Sequence, residues 1–123
     1  MNILIDTRIF ILAIQFPDKL SSKYQKILIN KNKNLYLSSL SIAEISIKKS
    51  INKLNLIFDL KKMSVDLDLK ILDFKVPEAQ ILEYLPLHHK DPFDRMIISQ
   101  AIANNYHIIT TDKKFSNYDC KLL

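Results

Sequence analysis

The chain has 123 residues, 48% of them apolar or aromatic and 25% charged, which is the size of one domain with a real core and too few charges for disorder. It has no glycine and a single cysteine, Cys120; this excludes the P-loop, the glycine-rich dinucleotide turn, the nucleophile elbow, a disulfide framework and a cysteine-built zinc site. The net charge of +5 is uneven, with 11 Lys/Arg against 4 Asp/Glu in residues 1–62 and 7 against 9 in residues 63–123, so the first half favours an anionic partner such as nucleic acid.

In chain order, 2–5 reads as a short apolar strand ending at Asp6. Residues 7–14 and 22–29 read as helices split by Pro17-Asp18, and 35–37 as a second strand after the loop of alternating Asn and Lys at 30–34. Residues 41–51 and 59–63 are expected as helices, 69–72 as a strand, and 77–82 as a helix opened by Pro77. The clearest helix is 92–104, where Phe93, Met96, Ile97, Ala101 and Ile102 fall on helical spacing. Strands at 107–109 and 121–123 close the chain. Short apolar strands alternating with helices predict a single α/β domain over 1–123 with a mostly parallel sheet. The longest early apolar run, Ile9 to Ile14, is far short of the ~20 residues of a membrane span. Asp6 and Arg8 interrupt any export signal. The expected location is the cytoplasm, with no membrane contact.

Chemistry in such a sheet is sought at the carboxyl ends of strands. Asp6 and Asp112 each follow a strand, and each also suits a helix cap or turn. Ser41-Ile42-Ala43-Glu44 has the spacing of a capping box, which puts Glu44 in a first helical turn. Asp91-Pro92-Phe93-Asp94 reads as N-cap, first position and third position of a helix. Two acids at strand ends and two at helix starts converging on one sheet edge would share a cation. Oxygen ligands without Cys or His select Mg²⁺ or Mn²⁺, and such a cluster suits in-line displacement at a phosphodiester. His88-His89 reads as a pair of loop residues before the Asp91 cap, because adjacent histidines outside a regular element make a poor zinc site. His107 reads as structural. Lys48, Lys49 and Lys53 form a helix face that is either solvated or phosphate-steering, and Tyr24, Tyr36 and Tyr84 read as packing residues before base-stacking ones.

The motifs carry a resemblance. Ile3-Leu4-Ile5-Asp6-Thr7 resembles the opening L-L-D-T of PIN-domain proteins, and Ser41-Ile42-Ala43-Glu44-Ile45 resembles their second acidic motif. Residues 85–101, with Leu85-Pro86-Leu87-His88-His89-Lys90-Asp91-Pro92-Phe93-Asp94-Arg95 at their head, are very similar to the L-P-L-H-H-R-D-P-F-D-R-L-L-I-A-Q-A stretch of one branch. Thr110-Thr111-Asp112-Lys113-Lys114-Phe115 resembles the closing T-x-D-x-x-F. The resemblance implies a VapC-like toxin, the ribonuclease of a toxin–antitoxin pair, with a three-layer α/β/α fold. It further implies Mg²⁺ (or Mn²⁺) dependence, an RNA substrate, a protein antitoxin as partner and a homodimer. Residue by residue it places Asp6, Glu44, Asp94 and Asp112 as catalytic and metal-holding acids, with Asp91, Thr7 and Thr110 as auxiliaries. Arg8, Arg95, Lys48 and Lys49 are the candidate substrate contacts, and Arg8 stands where this branch usually has His. Two other functions stay open at this stage. A non-catalytic RNA-binding module would keep the fold without using the acids. A response-regulator-like phosphoacceptor would need an acid pair directly after the first strand, where Thr7-Arg8 stands instead.

Overall fold

A computed structural model describes residues 1–123. Five strands, β1 (Asn2–Ile5), β2 (Asn34–Ser38), β3 (Leu69–Leu72), β4 (His107–Ile109) and β5 (Lys121–Leu122), form one sheet in the order β3-β2-β1-β4-β5. Every adjacent pair is parallel. The chain builds outward from β1 to β3, then crosses back to add β4 on the other side of β1. The strand order therefore reverses between β1 and β4, where α/β sheets open a crevice.

Alternation along the strands makes the layers. Ile3, Ile5, Leu35, Leu37 and Ile109 join one core with Ile9 and Phe10 of α1 (Thr7–Gln15), Ile27 and Leu28 of α2 (Ser22–Ile29) and Ile45 of α3 (Ser39–Ser50). Leu4, Leu72 and Ile108 point the other way, onto Ile97, Ile98 and Ala101 of α6 (Pro92–Asn104), with Phe115 and Tyr118. Helix α4 (Leu60–Asp66) precedes β3. Helix α5 (Val76–Ile81) is tied to α6 by Asn104, whose Nδ2 donates to Glu78 Oε1 at 2.8 Å. The result is the expected three-layer α/β/α arrangement. No helix is long and apolar enough to cross a membrane.

Without glycine, the positions with positive φ fall to Asn52, Asp68 and Asn105, the residue types that best tolerate the left-handed region. Asn105 (φ 57, ψ 40) terminates α6 there. One local expectation is overturned. The cap of α3 is Ser38, whose Oγ accepts from Leu40 N–H at 3.1 Å, because β2 runs straight into the helix. Ser41 and Glu44 are therefore not a capping box, and Glu44 lies in the second turn of α3 and not its first.

Candidate active site

The acids gather at the carboxyl edge of the sheet, beside the strand-order reversal. Asp6 directly follows β1, and its N–H donates to Ile109 O at 3.1 Å, extending the β1–β4 ladder by one rung toward the loop that carries Asp112. One pocket of about 410 Å³ is lined by five carboxylates, Asp6, Glu44, Asp91, Asp94 and Asp112, with the cations Arg8, Lys19 and Lys48 and the apolar Ile11, Leu12 and Phe16 of the α1 side.

Three of the five acids also serve as caps. Asp6 Oδ1 accepts from Ile9 N–H at 2.7 Å, Asp91 Oδ1 from Phe93 N–H at 2.9 Å, and Asp112 Oδ1 from Lys114 N–H at 2.9 Å. Capping uses one oxygen of each carboxylate and orients the other. Local and site roles coexist because a carboxylate has two acceptor atoms. Asp94 is the third residue of α6, where the helix dipole favours its charge. Glu44, in mid-helix, owes its position to tertiary packing. Its Oε2 accepts from Lys48 Nζ at 2.8 Å, while its Oε1 is buried without any hydrogen-bond partner.

Crowding and burial shift the protons. Burial pushes the Asp6 carboxyl up to about 6, against the Thr110 hydroxyl and the Ile9 N–H, with Asp112 adding to the rise. Asp94 is pushed up to about 7, first by burial and then by the charges of Asp91, Asp6 and Glu44, with His89 opposing. At Asp112 burial acts upward, but the Lys114 N–H and the His89 ring prevail and hold it below the usual carboxylate range. The hydrogen bond to Glu44 holds Lys48 above its ordinary value, with the charges of Glu44, Asp91 and Asp94 reinforcing it.

The remaining candidates divide. Thr7 lines the pocket, and its Oγ1 is 2.8 Å from Ser41 Oγ in a buried pair that ties α1 to α3. Thr110 Oγ1 accepts from Asp112 N–H at 3.0 Å and so shapes the loop that carries this acid. Arg8 and Lys48 line the pocket; Lys49 and Arg95 do not. Lys49 Nζ lies 5.7 Å from the centre of the Phe58 ring. Arg95 spends its guanidinium on Pro86 O (2.8 Å), Leu85 O (3.2 Å) and Tyr118 Oη (3.3 Å), so here it clamps a loop. Tyr24 Oη donates to Thr110 O at 2.9 Å, a packing role, and Tyr84 is exposed.

One residue at the site escaped the sequence reading. His89, expected as a loop residue, is only 7% exposed. Its Nε2 is 2.7 Å from Asp112 Oδ2 and 3.1 Å from Asp94 Oδ2. The signals were its place two residues before a helix cap and its match to the second His of the L-P-L-H-H stretch; neither tells a buried histidine from a solvated one.

The acids fit a divalent cation: hard oxygen donors, proton affinities at Asp6 and Asp94 raised by burial and then by neighbouring carboxylates, and an unpartnered buried oxygen on Glu44. This edge-built acidic pocket on a parallel three-layer sheet defines the class. Residues 3–121 match the PIN domain, and the chain belongs to that family. No curated protein matches it. Among solved structures, it is similar to a chain of VapBC2 from Rickettsia felis bound to a DNA fragment from their promoter, at 23% identity over 100% of this chain and 98% of that one, with a TM-score of 0.71. A chain of DNA-bound VapBC from Salmonella typhimurium aligns at 16% identity over 100% and 97%, TM-score 0.67. A chain of VapBC-5 from Mycobacterium tuberculosis, of the VapBC family of toxin–antitoxin systems, aligns at 16% identity over 99% and 95%, TM-score 0.59. At these identities the likeness is one of fold.

Proposed function

We propose that this PIN-domain protein is a metal-dependent endoribonuclease, the toxin of a toxin–antitoxin pair, using Mg²⁺ or Mn²⁺ held by Asp6, Glu44, Asp94 and Asp112. The observation that carries the reading is the convergence of these acids, with Asp91, in one pocket around the unpartnered Glu44 oxygen. When bound, the ion would supply Lewis-acid charge at the phosphodiester and lower the pKa of a bound water. The chain's own residues prepare the place. The caps at Asp6 and Asp112 fix two carboxylates, α3 delivers Glu44, and Arg8, Lys19 and Lys48 around the same pocket meet the phosphate backbone. The likeness in fold to VapBC chains supports a protein antitoxin as partner. An antitoxin arginine suits such a pocket, since its planar fork pairs with carboxylates. A homodimer in the cytoplasm belongs to the same proposal.

The test is purified protein incubated with RNA and Mg²⁺ or Mn²⁺, beside Glu44→Gln and a chelator control. Cleavage that stops with chelator and is lost in Glu44→Gln is expected. Cleavage that continues undiminished in excess EDTA, with contaminating ribonuclease excluded, refutes the metal mechanism.

A further inference from the structure

His89, Asp94 and Asp112 bring one ring nitrogen and two carboxylate oxygens within 4.8 Å of one another, a spacing open to two readings. Either the histidine is a metal ligand, or it organises ligands. The second ring nitrogen decides between them. His89 Nδ1 accepts the Asp91 N–H at 3.1 Å, so its lone pair is committed and the ring proton sits on Nε2. That proton is donated to Asp112 Oδ2 at 2.7 Å, and Asp94 Oδ2 lies 3.1 Å from the same nitrogen as an ion-pair contact. A ligating imidazole must turn a lone pair to the ion; this ring turns a donor to Asp112, beside Asp94.

The two acids come from different elements, Asp94 from the first turn of α6 and Asp112 from the loop after β4. The His89 ring sits where the two elements meet, its Nε2 within 3.1 Å of an oxygen of each acid. The ring is itself firmly held. Tyr118 Oη accepts the backbone N–H groups of His88 (2.9 Å) and His89 (2.7 Å), and the Arg95 clamp engages the same oxygen and the carbonyls of Leu85 and Pro86. The His89 ring packs edge-on against Phe115, which is fully buried. A mere spacer before a helix cap needs none of this.

We propose that His89 is a positioning residue: its Nε2–H is donated to Asp112, with the Asp94 carboxylate beside the same nitrogen, and so holds the two acids in register for a divalent cation that they, and not the imidazole, ligate. The inference rests on the metal-nuclease reading above and adds to it a residue that sets metal affinity from outside the coordination sphere.

The experiment measures Mn²⁺ binding without RNA, from the electron paramagnetic resonance signal of the free ion, on chelator-treated full-length protein. His89→Gln keeps an N–H at about the reach of Nε2. His89→Asn keeps an acceptor near Nδ1 for the Asp91 N–H but falls short of the acids. Loss of an outer-sphere partner weakens metal binding roughly 10–100-fold, so His89→Asn is expected to fall about tenfold or more while His89→Gln stays within about threefold of wild type. A role confined to loop packing predicts the reverse order, since Asn conserves the bond to the loop. Wild-type affinity in His89→Asn, or equal losses in both variants, overturns the proposal. Should neither variant fold, Tyr118→Phe, which removes only the anchoring hydroxyl, is expected to weaken Mn²⁺ binding, and unchanged affinity there overturns it too. A wild-type protein that binds no Mn²⁺ ends both readings; metal-dependent RNA cleavage with unaltered affinity in His89→Asn ends this one alone.

Discussion

Asp94→Asn separates a carboxylate that serves a helix start from one that serves a crowded site. The Asp94 carboxyl moves from an ordinary 3.8 to about 7 in the folded chain, a penalty on the ionised form of about 4 kcal/mol. With 21% of the side chain exposed, solvent screening reduces this to about 2 kcal/mol. Because the folded value is raised, the penalty is absent below the unfolded value, grows through the interval between 3.8 and about 7, and is complete above it. Asn has the same shape and no charge. It forfeits the helix-dipole term, about 0.3–1 kcal/mol. In chelator-treated buffer at pH 8 the variant is therefore expected to be more stable than wild type by about 1 kcal/mol, a rise of about 4 °C in melting temperature for a domain of this size. At pH 4 the two are expected to melt nearly together. Mg²⁺ reverses the order: a ligand at a hundred times its Kd adds about 2.7 kcal/mol to the protein that binds it, and the variant lacks one of the acids. Asp91→Asn is the control, because Asn caps a helix about as well as Asp; it is expected to keep most of the Mg²⁺ response. Melting curves across a Mg²⁺ series at both pH values read all of this. A variant less stable than wild type at pH 8 without metal, or one with an equal Mg²⁺ shift, refutes the reasoning and leaves Asp94 as a charge that serves only the helix dipole.

Two further outcomes follow from the same electrostatics and packing. The metal-free wild type is expected to lose stability as pH rises from 5 to 8, since Asp6 (about 6) and Asp94 (about 7) both hold protons more tightly folded than unfolded; urea midpoints across that range measure it, and a flat or rising profile contradicts it. Arg95→Lys replaces a fork that reaches Leu85 O, Pro86 O and Tyr118 Oη with a single ammonium, and is expected to cost about 1.5–3 kcal/mol of stability without raising KM for RNA. A raised KM at unchanged stability would return Arg95 to the substrate contacts.

The amino-acid sequence by itself determined what depends on neighbours within a turn or two. Short apolar runs set β1 and β4, helical spacing set α6, and Asp91-Pro92 set its start, because apolar runs, helical periodicity and capping are local effects. The acids at 6, 44, 94 and 112 were legible as a motif series, and the structure brings them, with Asp91, to one pocket. Locality also misled: the serine-to-glutamate spacing at 41–44 imitates a capping box, but the helix had already begun at Ser39. Only the tertiary structure decided that β4 inserts beside β1, that Asp94 faces three other carboxylates and takes its proton near neutrality, and that Arg95 grips a loop. It also set His89 between acids 5 and 23 residues away in sequence. Those relations depend on the order of strands and the crossing of loops, which bring together side chains whose own neighbours along the chain carry no trace of the meeting.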